Sequence, residues 1–301
     1  MNNIRISCLK GALPFVALMA LSFSSCGNKK ISSENTGTNT EADKSASILK
    51  TDSISWNDSI ATPAGNKAYC RISVAYPVDG NARLLDSIRH WIAGQLSTNS
   101  FISHDTVKPF TVPGADLADG EKYIKNVGTH VLDKAKPELL GLDSLRIEPG
   151  MAYEYDWNIS DIYQTDKFVT YASSTYCYLG GAHGGSSFTP QVFSLADGRE
   201  FGWDMFRTDS IPALKNIIRQ ALMTQHFEVK TEAELRDCLL INPDTLPLPV
   251  TPPYFTADGV HFVYQQYEIA PYAAGMPGCV LPYGKMCPML TEAAAALLPA
   301  K

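Results

Sequence analysis

Two aromatic segments separated by three residues constrain the fold most. Tyr153–Tyr163 reads YEYDWNISDIY and Lys167–Leu179 reads KFVTYASSTYCYL. In the first, alternation puts Tyr155, Trp157, Ile159 and Tyr163 on one face of a strand. The second is rich in aromatic and β-branched residues, which suit a pleated, half-buried surface. Gln164–Asp166 is short enough for a hairpin loop. A chain holding this pair must build a sheet and cover its aromatic face.

The neighbouring segments supply strands and covering helices. Residues 67–78 alternate as a strand ended by Pro77 and Gly80. Asn81 is a candidate N-cap for a helix over 81–96, with Leu84, Leu85, Ile88, Ile92 and Leu96 at helical spacing. A second amphipathic helix spans 119–136, stopped by Pro137. Asp197-Gly198 and Asp258-Gly259 mark hairpin turns within 191–206 and 253–270. Helices follow over 209–225, with Pro212 in the first turn, and over 231–240. Hairpins outnumber βαβ patterns and no internal repeat is present. The expected fold is α+β: two small units with largely antiparallel sheets and helices packed on one side. The units span 59–144 and 145–292.

The N-terminus predicts export. Arg5 and Lys10 precede a uniformly apolar run, 11–23, too short to span a membrane as a mature helix. Two serines then lead into Cys26. This resembles a bacterial lipoprotein signal, residues 1–25, with Cys26 as the lipidated first residue of the mature chain. The polar residues 26–58 read as a flexible tether. Within and beside it, Asp52-Ser53-Ile54 and Asp58-Ser59-Ile60 resemble O-glycosylation acceptor triplets of some Gram-negative bacteria. CGNKK lacks an acidic run after the cysteine, which points to the periplasmic face of the outer membrane. The expected location is therefore the cell envelope, anchored by lipid only.

Composition excludes some functions. The 301 residues are 45% apolar and carry a formal charge of -6. No basic face favours nucleic acid. Beyond Cys8 and Cys26, five cysteines remain: Cys70, Cys177, Cys238, Cys279 and Cys287. An odd number cannot all pair within the chain, and Cys279 with Cys287 is the closest candidate bridge. No CxxC, HExxH, GxSxG, Walker loop or GxGxxG occurs, and the six histidines show no metal-ligand spacing. The expectation is no catalytic residue, no metal and no cofactor. Glu154 and Asp156 share a strand face, which reads as the solvent side of a half-buried strand.

The remaining candidate is YLGGAHGGSS, residues 178–187. Gly180 and Gly181 at a strand end permit a bulge or a sharp turn. Consecutive N–H groups can form an anion-binding concavity with His183 at its rim. Three readings remain open for His183: a brace on a backbone carbonyl, a ligand contact, or catalysis. Tyrosines crowd the same region, and exposed tyrosines suit protein-binding surfaces. Gly181, His183, Gly184, Tyr178 and Tyr272 are the candidate ligand-binding residues, with other tyrosines of 171–178 and 267–283 in support.

YCYLGGAHGG, then VFSLADGREFGWDMF, then GVHFVYQQYEIAPYAAGMPGCVLPYGKM resemble, in order and spacing, the RsiV-type C-terminal domain family over about 150–290. That family includes the ectodomain of lysozyme-sensing anti-sigma factors. YPVDGNARLLDSIRHWI resembles more loosely the PdaC-type domain, a module that also accompanies a peptidoglycan deacetylase domain. The resemblance implies an extracytoplasmic α+β binding module whose ligand is a lysozyme-like hydrolase or peptidoglycan. Only ten residues precede the apolar run, where sensors of this type carry a sigma-binding segment, so an anti-sigma role is not expected. The deacetylase domain is absent too. A structural or assembly lipoprotein is the second reading, and an uncharacterised hydrolase the third.

Overall fold

The computed structural model describes residues 48–97, 116–144 and 151–298. Strands β1 (Lys50–Ala61) and β2 (Lys67–Asp79) pair antiparallel. Helices α1 (Ala82–Ser97) and α2 (Gly120–Ser144) follow. Strands β3 (Ala152–Gln164), β4 (Phe168–Tyr178), β5 (Gly185–Ser194) and β6 (Glu200–Phe201) complete a six-stranded sheet in sequential order. Among the described residues the one parallel pair, β2 with β3, is bridged by α1 and α2. Helices α3 (Ile211–Gln225) and α4 (Glu232–Cys238) come next. A three-stranded sheet then forms from β7 (Tyr254–Thr256), β8 (Gly259–Val263) and β9 (Gly278–Leu281). Two short helices, α5 (Tyr283–Met286) and α6 (Glu292–Ala295), end the described chain. The fold is mixed α+β and mostly antiparallel, as the sequence predicts. The boundary drawn at 144/145 runs through the large sheet, because β2 pairs with β3 across it. All described residues belong to one compact unit, Ala46–Lys301.

Period-2 alternation gives this sheet two unlike faces. Its inner face carries Ile72, Val74, Tyr155, Trp157 and Ile159, all buried beneath α1 and α2. Helix α1 contributes Leu84, Ile88, Ile92 and Leu96 at helical spacing. It starts as its sequence predicts: Arg83 N–H donates to Asn81 Oδ1 at 2.9 Å. The outer face is covered at one end by the C-terminal module. There Phe168 meets Phe255 edge-on, centroids 5.5 Å apart, and Thr170 Oγ1 donates to the Phe255 carbonyl at 2.7 Å. Val192 joins the same second core.

Three expectations need correction. Residues 50–58 belong to β1, not to a tether. Ile54, Trp56 and Ile60 alternate along it and pack on the inner core. Trp56 lies so close over α2 that a Cβ at Gly128 would fall 2.0 Å from its ring. Second, Pro137 does not end α2, which continues to Ser144. Pro137 lies on the exposed side, where the carbonyl it frees is open to water. Third, Tyr163 leaves the face of Trp157 and Ile159. A register shift between Asp161 and Tyr163 re-aims it toward Phe168, 5.7 Å away, in the second core.

Cys279 and Cys287 are free thiols, as are Cys70 and Cys177. Cys70 and Cys177 both lie opposite Tyr155, on the strands either side of it, too far apart to bridge. Burial pushes Cys70, Cys177 and Cys279 up to about 12, so they are packing groups rather than nucleophiles. The signal peptide, Cys26 and residues 26–47 lie outside the described residues. Among the described residues, no helix is long and apolar enough to cross a membrane.

Candidate functional site

The other half of the outer face is left uncovered by the described residues, and strand register places its side chains in rows. One row runs Ser59, Tyr69, Glu154, Tyr178. The next runs Asn57, Arg71, Asp156, Tyr176, Ser186. A third runs Ser55, Ser73, Asn158, Ser174, Phe188, the last half-buried against the second core. Neighbours within a row stand about 4.8 Å apart and successive rows about 6.7 Å. The surface is thus a grid of hydroxyls, amides and three charged groups around three half-exposed tyrosines.

Arg71 organises the centre of the grid. Its Nε lies 2.6 Å from Asp156 Oδ1, and Nη2 donates to Asp156 Oδ2 at 2.8 Å and to Glu154 Oε2 at 2.9 Å. Glu154 and Asp156 do lie on the face opposite Tyr153, Tyr155 and Trp157, as alternation predicts. The sequence alone does not reveal Arg71 between them, because the parallel pairing of β2 with β3 is non-local. Tyr69 was hidden for the same reason.

The GGAHGG loop stands at the β4–β5 end of this grid. Gly180 and Gly181 take φ of +87° and +96°, the left-handed turn that lets the chain leave β4. Tyr178 hydroxyl donates to the Gly181 carbonyl at 3.0 Å, tying the first row to the loop. A Cβ at Gly184 would fall 2.5 Å from the Tyr176 ring, so that ring lies directly against the loop backbone. Burial raises the Tyr176 hydroxyl pKa first, and the nearby charge of Glu154 adds to it.

His183 is exposed, yet held on three sides. Its face stacks on Tyr272 with centroids 3.8 Å apart and planes 21° apart. Its Nδ1 faces the Gly184 carbonyl at 2.9 Å, and its Nε2 faces the Tyr267 hydroxyl at 3.2 Å. A carbonyl can only accept, so Nδ1 carries a proton, and in the neutral ring Nε2 accepts from the Tyr267 hydroxyl. In this arrangement the Nε2 lone pair is engaged, and the ring serves as a brace and an aromatic surface. The structure therefore brings His183, Gly184, Gly181, Tyr178 and Tyr272 together.

The segment carrying Tyr267 and Tyr272 is fixed to the sheet edge by side-chain amides. Gln265 accepts from Phe188 N–H at 3.1 Å and donates to the Phe188 carbonyl at 2.7 Å. Ser186 N–H donates to Gln266 Oε1 at 2.8 Å. The two glutamines thus act as a surrogate strand along the outer edge of β5. Glu268 closes the turn, accepting from Gln265 N–H at 2.7 Å and from Val250 N–H at 2.8 Å. Between them Tyr267 sits at φ +64°, a left-handed conformation costing a non-glycine residue about 1–2 kcal/mol. Tyr267 is 49% exposed, and its ring lies 5.8 Å from Tyr272 and 6.3 Å from His183, centroid to centroid. The role of Gln265 and Gln266 was not legible, since amides in a loop carry no periodic signal. Tyr171 and Tyr264, by contrast, are fully buried and take no part in the site. Among the described residues, no three His, Cys, Asp or Glu side chains converge to hold a metal ion.

The wall of this site falls within a recognised domain class. Residues 203–284, which include Gln265, Gln266, Tyr267 and Tyr272, match the family described as "Protein of unknown function (DUF3298)". The uncovered sheet and His183 lie outside the matched residues. A solved DUF3298-family structure from Bacteroides fragilis is 23% identical, with 82% of this chain and 95% of that chain covered and a TM-score of 0.65. Another, from Pseudomonas aeruginosa, is 14% identical, with 85% and 99% covered and a TM-score of 0.54. At these identities the likeness establishes the shared fold. No curated protein matches the chain.

Proposed function

We propose that this protein is a non-catalytic binding module, tethered outside the cytoplasm through lipid on Cys26, that takes a protein or glycan ligand of the cell envelope. The observation that carries the reading is the uncovered tyrosine-studded half-sheet, walled by His183 stacked on Tyr272 and by a strained, exposed Tyr267. Backbone strain held at an exposed side chain is characteristic of sites that hold a ligand. The engaged nitrogens of His183 favour contact over proton transfer. The RsiV-type resemblance supports a lysozyme-like hydrolase as ligand, and the PdaC-type resemblance supports peptidoglycan.

Calorimetric titration of the full chain with lysozyme and, separately, with soluble muropeptides tests the reading. Heat of binding is expected with at least one of them. Tyr272→Ala, which removes the stack under His183, should weaken that binding about tenfold. No heat with either ligand overturns the reading.

A further inference from the structure

We infer that the uncovered half-sheet is a platform for an extended, uncharged oligosaccharide, with Arg71 and the tyrosines of its first two rows as the contact residues. The inference rests on the binding-module reading and narrows it from a protein or glycan ligand to a glycan at this face.

The chemistry of the grid selects the occupant. Protein interfaces need an apolar, well-packed centre. The exposed large apolar side chains are Ile48, Val78, Leu140, Ile162, Leu240, Val250 and Tyr267, and none stands in the three rows. Nucleic acid needs cations free for phosphates. The one cation within the three rows, Arg71, is already neutralised by two carboxylates, and on the same face Lys67 stands one pleat beyond Tyr69. Hydroxyl and amide groups facing water beside aromatic rings suit a pyranose. Its C–H face stacks on an aromatic ring, and its edge hydroxyls both donate and accept.

The geometry fits the same occupant. Tyr69 and Tyr178 flank Glu154 in one row, about 10 Å apart across two strand spacings. That is about the length of a disaccharide unit, so successive units of a β-1,4-linked chain can meet successive rings. Between the rings, the carboxylates of Glu154 and Asp156 can each accept from a sugar hydroxyl. Arg71 uses Nε and Nη2 on those carboxylates, so its Nη1 hydrogens are not needed for them. Exposed ion pairs contribute little to stability. A three-member network on an open face is therefore better explained by what it presents than by what it holds together. Tyr176, pressed against Gly184, joins this floor to the His183 wall.

Titration of the full chain with chitohexaose tests the assignment, with lysozyme titrated in parallel. Binding of the sugar is expected, weakened about tenfold by Tyr69→Ala and by Arg71→Met. Asn57→Ala, on an exposed strand position that tolerates truncation, should weaken it about threefold through one lost hydrogen bond. Leu140→Ser, on the helix-covered side, should leave it unchanged, and thermal melts confirm folding of every variant. Chitohexaose bound equally well by all four variants overturns the placement. Lysozyme bound without any sugar binding overturns the glycan while leaving the binding-module reading intact. Neither ligand bound overturns both.

Discussion

The two faces of the six-stranded sheet are written in alternate letters of the same strands, and they do opposite things. Along β3, Tyr155, Trp157 and Ile159 are 5%, 3% and 0% exposed, while Asp156 and Asn158 between them face outward. The inner residues meet α1 and α2, supplied by the crossover that joins β2 to β3. The outer residues meet the C-terminal module at one end, and at the other only Tyr176 and Tyr178 touch the GGAHGG loop while the rest are left uncovered by the described residues. The difference teaches where stability and recognition are kept. Close packing on one side gives rigidity, and the other side can then carry polar groups in fixed register without having to hold the fold together.

The comparison breaks most visibly at Ile159. Ile159→Ala removes a fully buried side chain from the inner core and should lower the unfolding free energy by about 2–5 kcal/mol. The shift of the urea midpoint at constant slope measures it. A loss below about 1 kcal/mol would mean that the helix layer is not what holds the sheet.

Acid sharpens the contrast between the covered inner face and the module on the outer face. His226 and His261 both belong to the C-terminal module, and burial lowers the pKa of each below the ordinary 6.5. His226 Nε2 donates to the Ala274 carbonyl at 3.1 Å, and His261 Nε2 lies 2.7 Å from Thr256 Oγ1. The folded state thus prefers both rings neutral, and the unfolded state binds more protons as pH falls through 6.5. The stability present above 6.5 is lost progressively between 6.5 and the lower folded values. Hydrogen exchange at pH 7.5 and pH 5.5 should show β7–β9 losing protection, relative to intrinsic rates, more than α1 and α2. Equal losses in both regions would show that the module and the helix layer open as one unit.

Much of this fold is legible from local chemistry. Gly198 follows Asp197 at φ +73°, the left-handed conformation that makes Asp-Gly a hairpin signal, whereas at the second hairpin Ala257 and Asp258 form the loop and Gly259 opens β8 opposite Thr256. The capping box at the start of α4 is equally local: Thr231 and Glu234 satisfy one another's backbone N–H groups. Strand β1 was obscured because Ser53, Ser55, Asn57 and Ser59 fill its outer side while Asp52 and Asp58 interrupt its apolar inner side, which by composition resembles a linker. The site divides the same way. The GGAHGG loop advertises itself through its glycines, and Tyr178 and Tyr272 through their neighbours. Arg71, Tyr69 and Gln265 acquire meaning only when distant strands come into register, and no spacing within one segment encodes that.

The smallest expected effect is the sharpest check on the two faces. Asn158 precedes Ile159 by one residue, shares its strand and backbone pairing, and faces outward beside Ser73 and Ser174. Asn158→Ala removes an exposed amide, leaves no buried partner unsatisfied, and keeps every ladder hydrogen bond. It should change stability by no more than about 0.5 kcal/mol. Set against Ile159→Ala, the ratio of the two effects measures how completely the pleat separates packing from presentation. An Asn158→Ala loss of about 2 kcal/mol, read from the same urea midpoints, would mean that the outer face is covered in solution. The open platform would then be a packed surface instead.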